Sequence, residues 1–227
     1  MEVIDSFNSI FDLTQITSVD NIWEVNESNS RASFRNLNIH NIGEVFNFFD
    51  SRCYKGTKCI SEMISSSIKD KDCDGVAFTT FNGSAYIILS ELKSALDSGD
   101  ILKAYTQTVF TLIKLHMILS LCKGYDIESM NILSIIACQP PKDAKQLTYL
   151  KDQMLLMEEG GKLGSDVKLL LNLFFKKKID TLIKDVSFIK DLPLNEQLAN
   201  KNIRFCLKTA DEYGNESVDV ELKDLLR

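Results

Sequence analysis

The chain has 227 residues, enough for one domain with a sizeable core, and its 44% apolar and 26% charged residues are ordinary for a globular protein. Three prolines and ten glycines exclude collagen-like or low-complexity character. A net charge of −6 with only five arginines gives no basic footprint and few bidentate phosphate clamps, so nucleic acid is not an expected partner.

In chain order, "VIDSFNSIFDLTQ" reads as a short amphipathic helix. Trp23 and Val25, then Leu37 and Ile39, alternate with polar residues around the turn-like "NESN", which fits either a short hairpin or an ordered polar loop. From Ile42 the pattern turns helical. "IGEVFNFFDSRCYKGTKCISEMISSSI" predicts one or two helices interrupted at Gly56. Residues 102–119 form the clearest apolar stripe, with Leu102, Tyr105, Val109, Leu112, His116 and Leu119 on one face and Lys103, Gln107 and Lys114 off it. Those polar residues make it a buried core helix and not a membrane span. Gly124 suits the position beyond its end, and "DIESMNILSIIAC" predicts a second helix, stopped by Pro140-Pro141. A third long helix is predicted over Ser165–Lys190 and a last one over Leu198–Tyr213. The expected fold is therefore mainly α. It divides into an irregular or hairpin segment (1–44), a single globular multi-helix domain (45–213) and an acidic tail (214–227).

Few motifs suggest chemistry. Asp70, Asp72, Asp74 and Gly75 stand at the spacing that opens a calcium-binding loop, but Phe81 occupies the place of the closing carboxylate, so a polar turn is expected there. His40 and His116 lie far apart, and no paired cysteines or H-x-x-x-H spacing offers a zinc site. Neither G-x-G-x-x-G nor G-x-x-x-x-G-K-[ST] occurs. No metal, cofactor or catalytic residue is expected. The six cysteines form no C-x-x-C pair, and "MEVIDSFNSIF" lacks the basic and apolar regions of a secretory signal, so reduced thiols and a cytoplasmic location are expected. Lys176, Lys177, Lys178 and Lys184 cluster on the third long helix as a candidate surface for a partner protein or an anionic membrane.

"TQTVFTLIKLHMILSLCKGYDIESMNILSIIA" resembles the central segment of the EcsC-like family of bacterial helical proteins, with Gly124, Tyr125 and Asp126 as the family's corner between two helices. Gly75, Gly83 and Ala85 would match its small-residue stretch, and Pro193, Asn200, Ala210 and Tyr213 its later turn and helix. The resemblance implies an all-α protein, cytoplasmic or membrane-peripheral, without established catalysis. The expected function is a non-enzymatic helical protein acting through a surface. The alternatives are a virus- or mobile-element-encoded protein binding a host factor, and an enzyme whose site the sequence does not announce.

Overall fold

The computed structural model describes residues 2–11, 17–27, 29–48, 72–186, 188–189 and 192–227. Among the described residues eight strands make one mixed sheet: β1 (Thr17–Asn26), β2 (Asn36–Asn47), β3 (Gly75–Phe81), β4 (Ser84–Lys93), β5 (Asn131–Cys138), β6 (Lys178–Leu182), β7 (Asn202–Thr209) and β8 (Ser217–Glu221). Six α-helices accompany it among the described residues: α1 (Glu2–Phe11), α2 (Ser98–Leu119), α3 (Ala144–Glu158), α4 (Ser165–Lys176), α5 (Glu196–Ala199) and α6 (Leu222–Leu226). None of the described helices is long and apolar enough to cross a membrane.

The strand order is β1-β2-β3-β4-β5-β7-β6, with β8 beside the first half of β2. Strands β1 to β4 are antiparallel, β4, β5 and β7 run parallel, and β6 returns antiparallel along β7. A parallel pair needs a crossover of a dozen or more residues, and α2 supplies the one from β4 to β5. The last residues of the parallel ladder are level, Lys93 beside Cys138 and Cys138 beside Thr209.

Both faces of this ladder are buried. On one, Val76, Phe78, Leu89, Ile132, Ile136 and Phe205 pack under α1, α2 and α4. On the other, Ala77, Ile88, Leu133, Ile135 and Cys206 pack against Trp23, Val25, Leu37 and Ile39 of the β1–β2 ribbon and against Leu222 and Leu225 of α6.

The mainly α expectation, and with it the all-α architecture implied by the EcsC-like resemblance, is replaced by this mixed α/β sheet. The reason is the burial of both faces. A parallel strand covered on each side loses the period-2 alternation and becomes a short apolar run, which periodicity alone does not separate from a buried helix. "NILSIIAC" is strand β5 for that reason, preceded only by a single 3-10 turn (Ile127–Ser129). "NIRFCLKT" within the expected last helix is β7. The segment from Ile42 to Asn47 continues strand β2, while the helices expected beyond it, with Gly56, Cys53 and Cys59, lie outside the described residues. The long helix from Ser165 stops at Lys176. Lys177 takes a left-handed φ of 63°, and the chain reverses into β6.

Three elements form as read. α1 is a helix with Val3, Ile4 and Phe7 buried, α2 is a core helix, and the hairpin alternative holds at the N-terminus, where Trp23 pairs with Ile39 and Val25 with Leu37.

Gly75, the first residue of β3, is required by close packing between the two layers. A Cβ there would stand 2.8 Å from Val25 Cγ1 and 3.1 Å from Trp23 Cζ2. Gly75→Ala is expected to lower unfolding stability by about 1–3 kcal/mol through overpacking, read from urea denaturation. A neutral result would show that the ribbon does not clamp the sheet there.

Candidate metal centre

The β3–β4 turn is Asn82-Gly83, with both residues at positive φ (49° and 77°), the conformation that a two-residue hairpin demands. That turn sets the register in which Gly75 pairs with Ser90; Asp74 immediately precedes β3, Glu91 follows Ser90, and the Asp74 charge acts on Glu91. By the alternation of side chains, Glu91 and Lys93 share the helix-covered face with Leu89. All lie at the carboxyl end of the parallel ladder, where open α/β sheets place their ligands.

The two carboxylates are held differently. Asp74 Oδ2 accepts a hydrogen bond from the Leu92 N–H at 2.7 Å. Glu91 is only 2% exposed, and its Oε1 accepts from Lys93 Nζ. Its other oxygen, Oε2, is buried with no hydrogen-bond partner among the described residues. Lys93 Nζ also donates to Gln107 Oε1 at 2.9 Å, and Gln107 Nε2 donates to the Asp72 carbonyl at 2.7 Å. The Asp72 carboxylate forms an ion pair with Lys114, which is buried within α2.

Gln107, Thr111 and Lys114 thus make a polar seam along α2 that faces the chain entering β3. Thr111 Oγ1 accepts the Cys73 N–H at 2.9 Å, between the two Asp72 contacts. Their spacing of four and then three residues keeps them on one helical face. Lys103 lies one turn earlier and acts electrostatically on Asp74.

Burial dominates the electrostatics. It pushes the Glu91 carboxyl up to about 8, with the Asp74 charge acting the same way and Lys93 opposing. Asp74 is pushed up to about 6, again chiefly by burial. The Leu92 N–H, Lys93 and Lys103 oppose that shift, and Glu27 of the β1–β2 turn adds to it. The Cys73 thiol beside them is also pushed well up by burial and then by the Glu91 charge, which makes it inert.

A desolvated pair of carboxylates with one unpartnered oxygen is suited to a hard divalent cation, which takes oxygen ligands. Among the described residues no group of three or more His, Cys, Asp and Glu side chains gathers for a metal. The set is therefore two carboxylates and no soft ligand. Among the described residues this set matches the magnesium habit of one or two carboxylates completed by water and substrate phosphate.

The residues expected to matter lie elsewhere. Lys176 and Lys177 end α4, Lys178 starts β6, and Lys184, in a 3-10 turn, donates to Asn200 Oδ1 at 2.7 Å, so the four share no single helix face. The Lys177 ammonium sits 4.5 Å over the Phe174 ring. Gly124 has φ 80°, Tyr125 shares a 3.0 Å hydrogen bond with His116 Nδ1, and Asp126 caps the 3-10 turn through the Glu128 N–H at 3.0 Å. This corner leads into β5 at the end of the sheet opposite Glu91. Of the acidic loop, Asp70 lies outside the described residues, and Asp72 and Asp74 serve the two contacts above.

A cleft of about 160 Å³ opens at that opposite end, lined by Tyr86, Asn131, Asp180, Lys201 and Arg204. Its guanidinium is already committed, twice to Asp180 (2.8 and 3.2 Å) and once to the Leu226 carbonyl (2.8 Å), so the chemistry favours the Glu91 end.

Both raised carboxyls bind protons more tightly in the folded chain than in the unfolded one. Their contribution to stability is full at low pH and is lost as the pH rises through about 6 for Asp74 and about 8 for Glu91. Glu91→Gln removes the larger part of this dependence. Measured without divalent metal, its Tm is expected to exceed that of the wild type near pH 9, with the gap closing toward about pH 5. A gap that does not change with pH would contradict the assignment.

No protein-family model matches the chain, and no curated protein or solved structure matches it either.

Proposed function

We propose that this chain is a divalent-cation-dependent phosphodiesterase acting on nucleic acid. The observation that carries the reading is Glu91, a buried carboxylate within reach of the Asp74 charge, with Oε2 unpartnered among the described residues and Lys93 on Oε1. It favours the enzyme alternative over the partner-surface one.

Asp74 and Glu91 would hold the cation. When bound, it would polarise a phosphate oxygen and lower the pKa of a water. Lys93 adds a compact positive charge at the same place, suited to the charge that builds on phosphate oxygens. In the hydrolysis, the water oxygen bonds to phosphorus and one ester P–O bond breaks. One product ends in a phosphomonoester, and the departing oxygen takes up a proton. A two-carboxylate site leaves coordination positions for the substrate's own phosphate, which is how magnesium commonly binds. The lack of either glycine-rich nucleotide-binding pattern argues against a free nucleotide as the substrate. The net charge of −6 makes general affinity for nucleic acid low, so attraction is local and supplied by the cation and Lys93.

The test incubates the purified chain with plasmid DNA and with labelled single-stranded DNA and RNA, in magnesium or manganese. Cleavage is expected in either metal and should stop with EDTA. Asp74→Asn, Glu91→Gln and Lys93→Met should each reduce it by about 100-fold or more while leaving the circular dichroism spectrum unchanged. Cleavage that survives all three substitutions, or none on any substrate, would overturn the proposal.

A further inference from the structure

We propose that the Lys93 ammonium and the divalent cation compete for Glu91, and that Gln107 is the positioning residue that receives the ammonium when the cation takes the carboxylate. This rests on the two-carboxylate reading of the site.

Lys93 touches both acceptors at once, Glu91 Oε1 and Gln107 Oε1, the latter at 2.9 Å. Glu91 is only 2% exposed, so its ionised form needs a positive neighbour, and Lys93 supplies it. A cation seated on the same carboxylate would bring two further positive charges beside the ammonium, so one of the two must withdraw. The lysine stem is flexible enough to move its head by a bond or two. The neutral amide oxygen of Gln107 is already in contact and needs no rearrangement to hold it.

Gln107 is fixed for this task. Its Nε2 donates to the Asp72 carbonyl at 2.7 Å, which commits its Oε1 to face Lys93. Asp72 is tied in turn to Lys114, two turns further along the same helix. The amide cannot follow the ammonium away, so Lys93 stays at the site, poised toward an incoming phosphate, instead of escaping into solvent.

The test is calorimetric titration with manganese alone, with no nucleic acid present, so it does not depend on catalysis. Lys93→Met should bind manganese at least about 3-fold tighter than wild type, because the competitor is gone. Gln107→Leu should bind it at least about 3-fold more weakly, because the displaced ammonium has no acceptor. In the double variant the Gln107 effect should vanish, leaving affinity within about 2-fold of Lys93→Met. A purely structural role for Gln107 would instead persist in the double variant and overturn the proposal. So would a Lys93→Met variant that binds no tighter than wild type. If neither the wild type nor Lys93→Met binds manganese, the metal-centre reading fails together with this one. If the wild type binds and Lys93→Met does not gain, only the competition fails.

Discussion

The β3–β4 register brings Asp74, at the entry to β3, near Glu91 toward the end of β4, in a place where water reaches little of Glu91. Burial and then the Asp74 charge both penalise ionising Glu91. The surrounding polar groups answer that problem. Lys93 leans on Glu91, Gln107 leans on Lys93, and the Leu92 amide supports Asp74. Even α2, otherwise a core helix, keeps a polar seam along one side, with a buried lysine in the middle of an apolar run. An ion pair that buries its lysine, as Lys114 does against the half-exposed Asp72, is weak evidence for stability, because desolvation offsets much of its attraction. Its place at the entry to β3 makes sense if fixing the position of Asp74 matters more than adding stability.

The two-layer arrangement makes this position possible. The ladder of β4, β5 and β7 is covered by helices on one face and by the β1–β2 ribbon on the other, so its carboxyl end emerges from a rigid core. Glu91 and Lys93 sit on strand backbone, not on a loop, and their separation of two residues points both toward α2. Gly75 lets the ribbon approach the sheet immediately beside Asp74.

A few elements were legible in the residues, whereas the mixed sheet and the surroundings of Glu91 were not. Amphipathic α1 and the alternation around Trp23 and Val25 announce themselves because one of their faces meets water. Strands β5 and β7 do not, because neither of their faces does. The signal that could have corrected the reading is Asn82-Gly83, a strong short hairpin cue, set between two runs rich in β-branched and aromatic residues. Without the hairpin, Asp74 looks like part of an incomplete calcium loop, and nothing links it to Glu91 or Lys93. With it, Asp74 meets the Glu91-Leu92-Lys93 triplet through the Leu92 N–H. Gln107 has no local signature at all, since its role depends on which way α2 crosses the sheet. The charge argument against nucleic acid describes the long-range field of the molecule, and a two-carboxylate site acts through a bound cation at contact distance, which the average charge does not register.

The central claim is that Asp74 and Glu91 together hold a divalent cation. Anomalous diffraction from manganese-soaked crystals tests it most directly. The account predicts a manganese peak within coordination distance of both carboxylates, about 2.0–2.3 Å from their oxygens, absent in Glu91→Gln crystals soaked in the same way. A well-ordered Asp74–Glu91 pair with no peak beside it, while manganese binds elsewhere on the molecule, would contradict it.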